Sequence, residues 1–429
     1  MNHKRRIGLY LSAPVVLRNP NYVPVLQDKL GLNLVILGFS GEVTPEIKAF
    51  SPFDGFPLSD ENLRDLVATH LDGQTVDTTE YDHVRASIGP SVRAQGDDTE
   101  FREAIRTLKA CGVEVWICGG SWTERRLMFC PCEERTNQWY EALYCYWANQ
   151  YGVDGVDITH ARYPMGSMPR GLGACSCARC SRVADRMNYS MGRMQAGLLN
   201  VVEQVRRLDA DLLRLALRHG LGLFDFLQMV GMDGAVIDWF RFRSEVMTRN
   251  LTRFRLAVRE AAGPDILFGS DTYPASLSLY VGHNHTEWAR FSDFASPLVS
   301  HIPAFVTNTL IEWARYVRSV NPALSETDAL RLIYRLTGYD GVGLPETIAD
   351  YHLEDASLFV RSVPVKDVVL QDVVKARLYL PPAIPSYPII QGEGWPKETI
   401  DAIVEGIYQA GHDGVIFQGT GALVDYTIH

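Results

Sequence analysis

The sequence predicts an α/β protein built as one (β/α)8 TIM barrel, and three observations lead to it. Short apolar segments rich in Val, Ile and Leu recur along the chain, the composition of strands buried on both faces. Stretches with apolar residues at helical spacing separate them. Four such segments precede a long helical block and four follow it, and eight is the number a closed parallel barrel needs. Inside the block, LLRLALRH (212–219) and GAVIDWF (234–240) resemble strands when taken alone. Accepting them would give ten strands and no such barrel, so both are assigned to helix.

Taken in order, strand one is expected at 7–12 (IGLYLS), with a short helix near 22–29, and strand two at 32–39 (LNLVILGF). Residues 40–95 form a long insertion after strand two, rich in Pro, Gly, Asp and Ser, with a short helix at 60–71. Insertions of that length usually serve function, as a lid or the wall of a cleft. An amphipathic helix at 99–111 leads to strand three at 113–118 (VEVWIC), and a helix at 135–151 to strand four at 155–160. Residues 182–262 are an extended helical insertion after strand four. Strands five to eight are expected at 266–270 (ILFGS), 298–302 (LVSHI), 387–391 (YPIIQ) and 415–418 (VIFQ). With no internal repeat and no low-complexity linker, residues 1–429 read as a single barrel forming a catalytic domain.

The apolar share of 46% and charged share of 21% are those of a globular protein in water. A formal net charge of -10 disfavours nucleic acid and anionic membranes as partners. No apolar run approaches the ~20 residues of a membrane span. The start, MNHKRRIGLYLSAPVVL, imitates a signal peptide superficially, but Pro14 follows a short apolar run that serves better as the first strand. A cytoplasmic protein is expected, with its eight cysteines reduced or bound to metal. The 8 Trp and 19 Tyr are a generous supply of flat rings, which sugar-binding clefts use.

Catalytic groups of such barrels sit at the C-terminal ends of the strands. Strand four ends in Asp157, Thr159, His160, Arg162 and Tyr163 before Pro164, polar groups costly to bury unless a site uses them. Strand five runs into GSDTYP with Asp271 and Tyr273, strand six carries His301, and strand seven runs into QGEGW with Gln391, Glu393 and Trp395. Gln418 ends strand eight, and the loop after strand five adds His283, His285, Glu287 and Trp288. Period-two alternation sets Asp157 in phase with Gly155, Asp271 with Gly269, and Glu393 with Gln391. If those phases face the barrel axis, three carboxylates converge on one mouth. Glycosidic cleavage needs two, one with raised pKa to protonate the leaving oxygen and one to attack or to activate water.

Cys175, Cys177 and Cys180 place three thiols within six residues, enough to wrap a tetrahedral Zn²⁺ that takes a fourth ligand from elsewhere. Cys130 and Cys132, in FCPC after strand three, are the obvious donors, with Cys132 assigned to the set and His160 a third option. Such a zinc would be structural, pinning the loop after strand four to the loop after strand three. No organic cofactor is expected.

From Phe129-Cys130-Pro131 through YGVDGVDITHARYP to CSCARC, the chain resembles glycoside-hydrolase-like (β/α)8 proteins with a DGxDxxxxRYP fourth strand and a CxCxxC cluster. The run GSDTYPASLSLYVGHNHTEWARFSDFASPLVSH and the closing GHDGVIFQG extend the resemblance, which is weakest at 40–95 and 339–386. The cysteine pattern is similar to the zinc cluster of family 42 β-galactosidases. That family carries an Asn-Glu pair at the end of strand four, whereas this chain has Asp157-Ile158-Thr159-His160. Only Glu393 matches their nucleophile, by location.

The leading expectation is a glycoside hydrolase acting on an oligosaccharide or glycoside. Asp157 is the acid, Glu393 the nucleophile and Asp271 the third candidate. His160, Arg162, Tyr163, Trp122, Tyr273, His301, Glu287, Gln391 and Trp395 would bind the substrate. One alternative is a barrel that binds carbohydrate without cleaving it. Another is a metal-dependent hydrolase or lyase using His283, His285 and His301. The sequence leaves a homo-oligomer open.

Overall fold

The computed structural model of the chain describes residues 5–40, 98–124, 127–128, 130–163, 165, 170–173, 175–229, 231–421 and 423. The insertion expected at 40–95, with its helix at 60–71, lies outside them apart from Ser40. Eight parallel strands form the barrel: β1 (Arg6–Leu11), β2 (Leu34–Gly38), β3 (Glu114–Gly119), β4 (Gly155–Ile158), β5 (Leu267–Thr272), β6 (Ala295–Pro297), β7 (Ile389–Gln391) and β8 (Gly414–Gln418). Consecutive strands pair from β1 through β6, β7 pairs with β8, and β1 pairs with β8. Between β6 and β7 the ring closes through bridges Ala295–Ser386 and Leu298–Ile389, with Tyr387 N–H donating to the Ala295 carbonyl at 2.8 Å. No helix among the described residues is long and apolar enough to cross a membrane.

Strand six is the one displaced from its expected place. The apolar run at 298–302 suggests a strand, but only Leu298 bridges to a neighbour, and His301 already caps the helix Ile302–Val320. What fixes the strand is Asp293 just before it. Its carboxylate pairs with Arg255 and Arg259 and accepts from the Phe268 N–H at 3.0 Å. Phe294 is thereby turned into the barrel.

The interior is layered by what the glycines leave open. Trp116 and Phe294 stack with centroids 4.1 Å apart in the lower barrel, an arrangement worth about 0.5–1.5 kcal/mol beyond the area it buries. A Cβ on Gly155 would stand 2.6 Å from the Trp116 ring, and one on Gly269 2.6 Å from Phe294. Those two glycines admit the aromatic pair, and the next inward residues on the same strands are Asp157 and Asp271. A second apolar core lies between strands and outer helices, with Trp147, Phe254, Phe268 and Val415 among its members.

Both strand-like segments of the block are helical. They belong to Ala210–His219 and Ala235–Ala262, following Ala178–Arg186 and Met191–Arg207. Asp209 caps its helix by accepting from the Asp211 and Leu212 N–H groups. The long helix Ala235–Ala262 packs on Glu134–Gln150 and so belongs to the barrel's outer ring.

The β1–β8 seam gives a first testable expectation. A Cβ on Gly414 would lie 2.0 Å from the Arg6 carbonyl oxygen, a backbone atom that cannot swing aside. Gly414→Ala is therefore expected to lower stability by about 1–3 kcal/mol, read as a reduced urea midpoint with unchanged slope.

Candidate active site

At the C-terminal ends of the strands, two carboxyl groups meet at one phenol. Tyr10, near the end of β1, places its hydroxyl 2.9 Å from Asp157 Oδ2 and 3.2 Å from Asp271 Oδ1. Asp157 is 0% exposed and Asp271 6%. In the strand register Asp157 stands beside Cys118 on one side and Gly269 on the other. A hydroxyl has one hydrogen to give, so it cannot satisfy two ionised carboxylates together. One of the two carboxyls must carry a proton for both contacts to be favourable.

The electrostatics agree. Burial pushes Asp157 well above the usual carboxylate range, the charge of Asp271 adds to it, and the Tyr10 bond opposes it. Burial also raises Asp271, to about 6, against the Thr159 hydrogen bond, the His160 and Arg162 charges and Tyr10. Asp157 Oδ1 has no hydrogen-bond partner among the described residues. Asp157 is thus the carboxyl that keeps the proton, and Asp271 the more accessible one with cations near it. Tyr10 and Cys118 are both held in their neutral forms by burial and these carboxylates.

Around this pair, Arg162 lies over the Tyr273 ring at 4.9 Å, and its Nη1 donates to the Tyr163 carbonyl. His301 is bonded through Nδ1 to Ser300 Oγ at 2.7 Å, and burial followed by the charge of His160 lowers its pKa. Gln391 and Gln418 are partners in the β7–β8 register. Asp157, Asp271, His160, Arg162, Tyr273 and His301 are therefore neighbours.

Other expected site residues stand elsewhere. Trp122 is not a platform for sugar. It is 0% exposed, stacked on Phe254 at 5.5 Å, with its Nε1 donating to Asn137 Oδ1. Tyr163 is buried beneath Arg243, on the cysteine side of the strand end. Glu287 pairs with Arg290 and accepts from Thr248 Oγ1 on the long helix. Trp395 is buried in the outer core. Glu393 is exposed on the loop after β7 and leans on the loop after β8. There its Cδ would be 2.5 Å from a Cβ on Gly419.

His283 is also accounted for. Its Nδ1 accepts from the Tyr273 N–H at 3.0 Å, and its Nε2 donates to the Ala161 carbonyl at 2.8 Å, so it ties the ends of β4 and β5 together. Burial lowers it to about 3, keeping it neutral. Both ring nitrogens are engaged, which removes it as a metal ligand and with it the His283–His285–His301 reading.

Four thiols assemble a second feature beside the mouth. The Sγ atoms of Cys130, Cys175, Cys177 and Cys180 all lie within 4.8 Å of one another, every one buried, and no disulfide forms. The Sγ–Sγ separations are 3.4 Å for Cys130–Cys180, 3.7 Å for Cys130–Cys177 and 3.8 Å for Cys177–Cys180. A tetrahedron with 2.3 Å metal–sulfur bonds has edges of roughly 3.8 Å, so the tetrad can hold a metal ion. Cys130 is the fourth member in place of Cys132. Cys132 lies outside the tetrad, and hydrogen bonds from Cys130 and Cys180 draw it down to about 5. Local structure explains the choice. Cys177 caps the helix Ala178–Arg186, and the Pro131 carbonyl between the two upstream cysteines accepts from Asn137 Nδ2 at 2.9 Å and Asn250 Nδ2 at 2.7 Å. Arg179 and Glu133 form an ion pair between the two cysteine segments.

No family model matches this chain, and no curated protein does. Among solved structures, a GH18 chitinase from Pseudoalteromonas aurantia aligns over 97% of this chain and 94% of its own, at 12% identity and TM-score 0.38. The catalytic domain of a β-amylase from Paenibacillus polymyxa aligns over 98% and 94%, at 9% identity and TM-score 0.42. An endo-β-1,4-mannanase from Thermotoga petrophila aligns over 96% and 67%, at 9% identity and TM-score 0.38. Likeness at this level bears on no residue of the site.

The sequence missed Tyr10. It occupies the same inward phase as Gly8 on the first strand, so the reading applied to the other strand ends would have found it.

Proposed function

We propose that this protein is a glycoside hydrolase whose proton donor is the Asp157–Tyr10–Asp271 group. The observation that carries the reading is the pair of buried carboxyls on one phenol at the strand ends, which holds a proton near neutral pH. Asp271, the more accessible member and itself raised to about 6, gives its own proton to the glycosidic oxygen as the bond to the anomeric carbon breaks. Burial keeps Asp271 protonated up to about pH 6, while Asp157 and Tyr10 are positioning residues that hold it at the strand ends, Tyr10 through a hydrogen bond that favours the ionised form. Glu393 is the second carboxylate, attacking the anomeric carbon or activating water, and its distance from Asp271 sets retention or inversion. Arg162, His160 and Tyr273 orient the sugar. The cysteine tetrad holds a structural Zn²⁺ that takes no part in the bond chemistry, since four thiolates leave no open position.

The test is hydrolysis of a panel of aryl α- and β-glycosides by wild type and by Asp271→Asn. Aryl alcohol released by wild type and lost in the variant supports the assignment. Release unaffected by the change overturns it. The full burial of Asp157 favours a second reading, a barrel that binds carbohydrate without cleaving it. Saturable sugar binding with no release from any glycoside would establish that alternative.

A pH profile separates the roles further. Because Asp271 must be protonated to act, kcat/KM is expected to fall as pH rises past about 6. The Tyr10 hydrogen bond favours ionised Asp271, so Tyr10→Phe should move that limb to higher pH. An unmoved limb would exclude Tyr10 from the group.

A further inference from the structure

Arg243 on the helix Ala235–Ala262 is a cation without an evident reason to be buried. It is 0% exposed, and no carboxylate of the described residues is among the charged groups that act on it. Nη1 donates to the Leu172 carbonyl at 3.1 Å, while Nε and Nη2 have no hydrogen-bond partner among the described residues. The guanidinium lies over the rings of Tyr163 at 4.4 Å and Trp239 at 5.3 Å. Those faces offset only part of the cost, because taking a charge out of water costs several kcal/mol unless a partner compensates it.

Leu172, which accepts from Arg243, lies on the segment leading to Cys175, and Asn250 on the same helix as Arg243 holds the Pro131 carbonyl beside Cys130. Burial lowers the Arg243 pKa to about 10 against the charges of Tyr163, Cys175 and Cys180. The last two belong to the thiol tetrad. Neutral thiols would offer a guanidinium almost nothing. Four thiolates around a divalent ion carry a net charge of two minus, held inside the protein where little water screens it. That cluster would need a cation nearby as much as Arg243 needs an anion.

We infer that Arg243 is the counter-ion of a tetrathiolate metal centre formed by Cys130, Cys175, Cys177 and Cys180, its buried guanidinium offsetting part of the charge the metal leaves uncompensated. The inference rests on the tetrad being a metal site. It also explains why a charged residue of the long outer helix is buried near the segment that leads to Cys175. That helix supplies the charge, and its Asn250 holds the Pro131 carbonyl next to Cys130.

The test compares full-length wild type with Arg243→Met, which keeps length and loses charge, and Arg243→Lys, which keeps charge. Each is purified with Zn²⁺, checked for folding by circular dichroism, and assayed for metal content, Zn²⁺ affinity by chelator competition, and thiol reactivity towards an aromatic disulfide. Wild type is expected to hold one Zn²⁺. Arg243→Met should bind it roughly 10–100-fold more weakly, the usual cost of losing a residue that supports metal ligands, with the cluster thiols more reactive. Arg243→Lys should stay within a few-fold of wild type. A folded Arg243→Met with wild-type affinity overturns the counter-ion role and leaves the metal site standing. Wild type unable to take up Zn²⁺ or Cd²⁺ overturns the metal site itself, and the inference with it. Should Arg243→Met not fold, Arg243→Lys decides: affinity near wild type supports the charge role, and a loss of more than about tenfold overturns it.

Discussion

Replacing Asp271 by Asn is expected to lower kcat on aryl glycosides by about 10²–10⁴-fold, the usual contribution of a positioned proton donor. The same substitution should make the protein more stable at alkaline pH. Both effects come from one cause. Asp271 is held above its ordinary pKa by burial, so the folded chain binds that proton more tightly than the unfolded chain. The stabilisation is fully present below the unfolded pKa near 4 and is lost as pH rises through about 6. Asn carries no charge at any pH. Asp271→Asn should therefore match wild type in denaturant stability near pH 4 and exceed it at pH 8 by on the order of 1–3 kcal/mol, one pKa unit corresponding to about 1.36 kcal/mol. Asp157→Asn should show the same direction of stability change, because burial and Asp271 raise Asp157 as well. Loss of rate together with gain of alkaline stability is the signature of a strained functional carboxyl. A buried aspartate with no part in the chemistry would show the stability gain alone, and a variant that loses rate and stability together would point to misfolding.

The second large effect concerns the thiols. Cys177→Ser combined with Cys180→Ser should abolish metal retention and lower the melting temperature. These residues open the helix Ala178–Arg186, and Cys130 anchors the opposite segment, so an emptied tetrad releases the loop after β4 from the loop after β3. A loss of about 3 kcal/mol would shift Tm by roughly 6–12 °C on the scale of a 150–250-residue domain, and by less in a chain of this length. Cys132→Ser, outside the tetrad, should retain the metal. Chelation of wild type should reproduce the thermal loss, and addition of Zn²⁺ should reverse it. Equal stability with and without metal would remove the cluster's structural role.

The barrel was legible because its signal is local and repeated. Runs such as LVIL at Leu34–Leu37 and VIF at Val415–Phe417 are buried on both faces and carry that requirement in their composition. Counting to eight then excluded the strand-like runs at 212–219 and 234–240, which fold as helix. Strand six was misplaced because its position is set by Asp293 reaching Arg255 and Arg259, contacts 38 and 34 residues away that no local pattern records. The same division runs through the candidate site. Period-two alternation in the sequence set Asp157 and Asp271 in phase with Gly155 and Gly269, the glycines above which they lie.

Only the tertiary structure could show that the two carboxyls share Tyr10, from strands 147 and 261 residues away. It alone could also enclose Trp122, join Cys130 rather than Cys132 to the tetrad, and bury Arg243 over Tyr163. By itself the sequence determined the barrel, the alternation of its strands and helices, and the inward phase of Asp157 and Asp271, because these follow from burial repeated along neighbouring residues. Which polar groups meet was decided by the closure of the ring, which brings together side chains whose partners are distant in sequence.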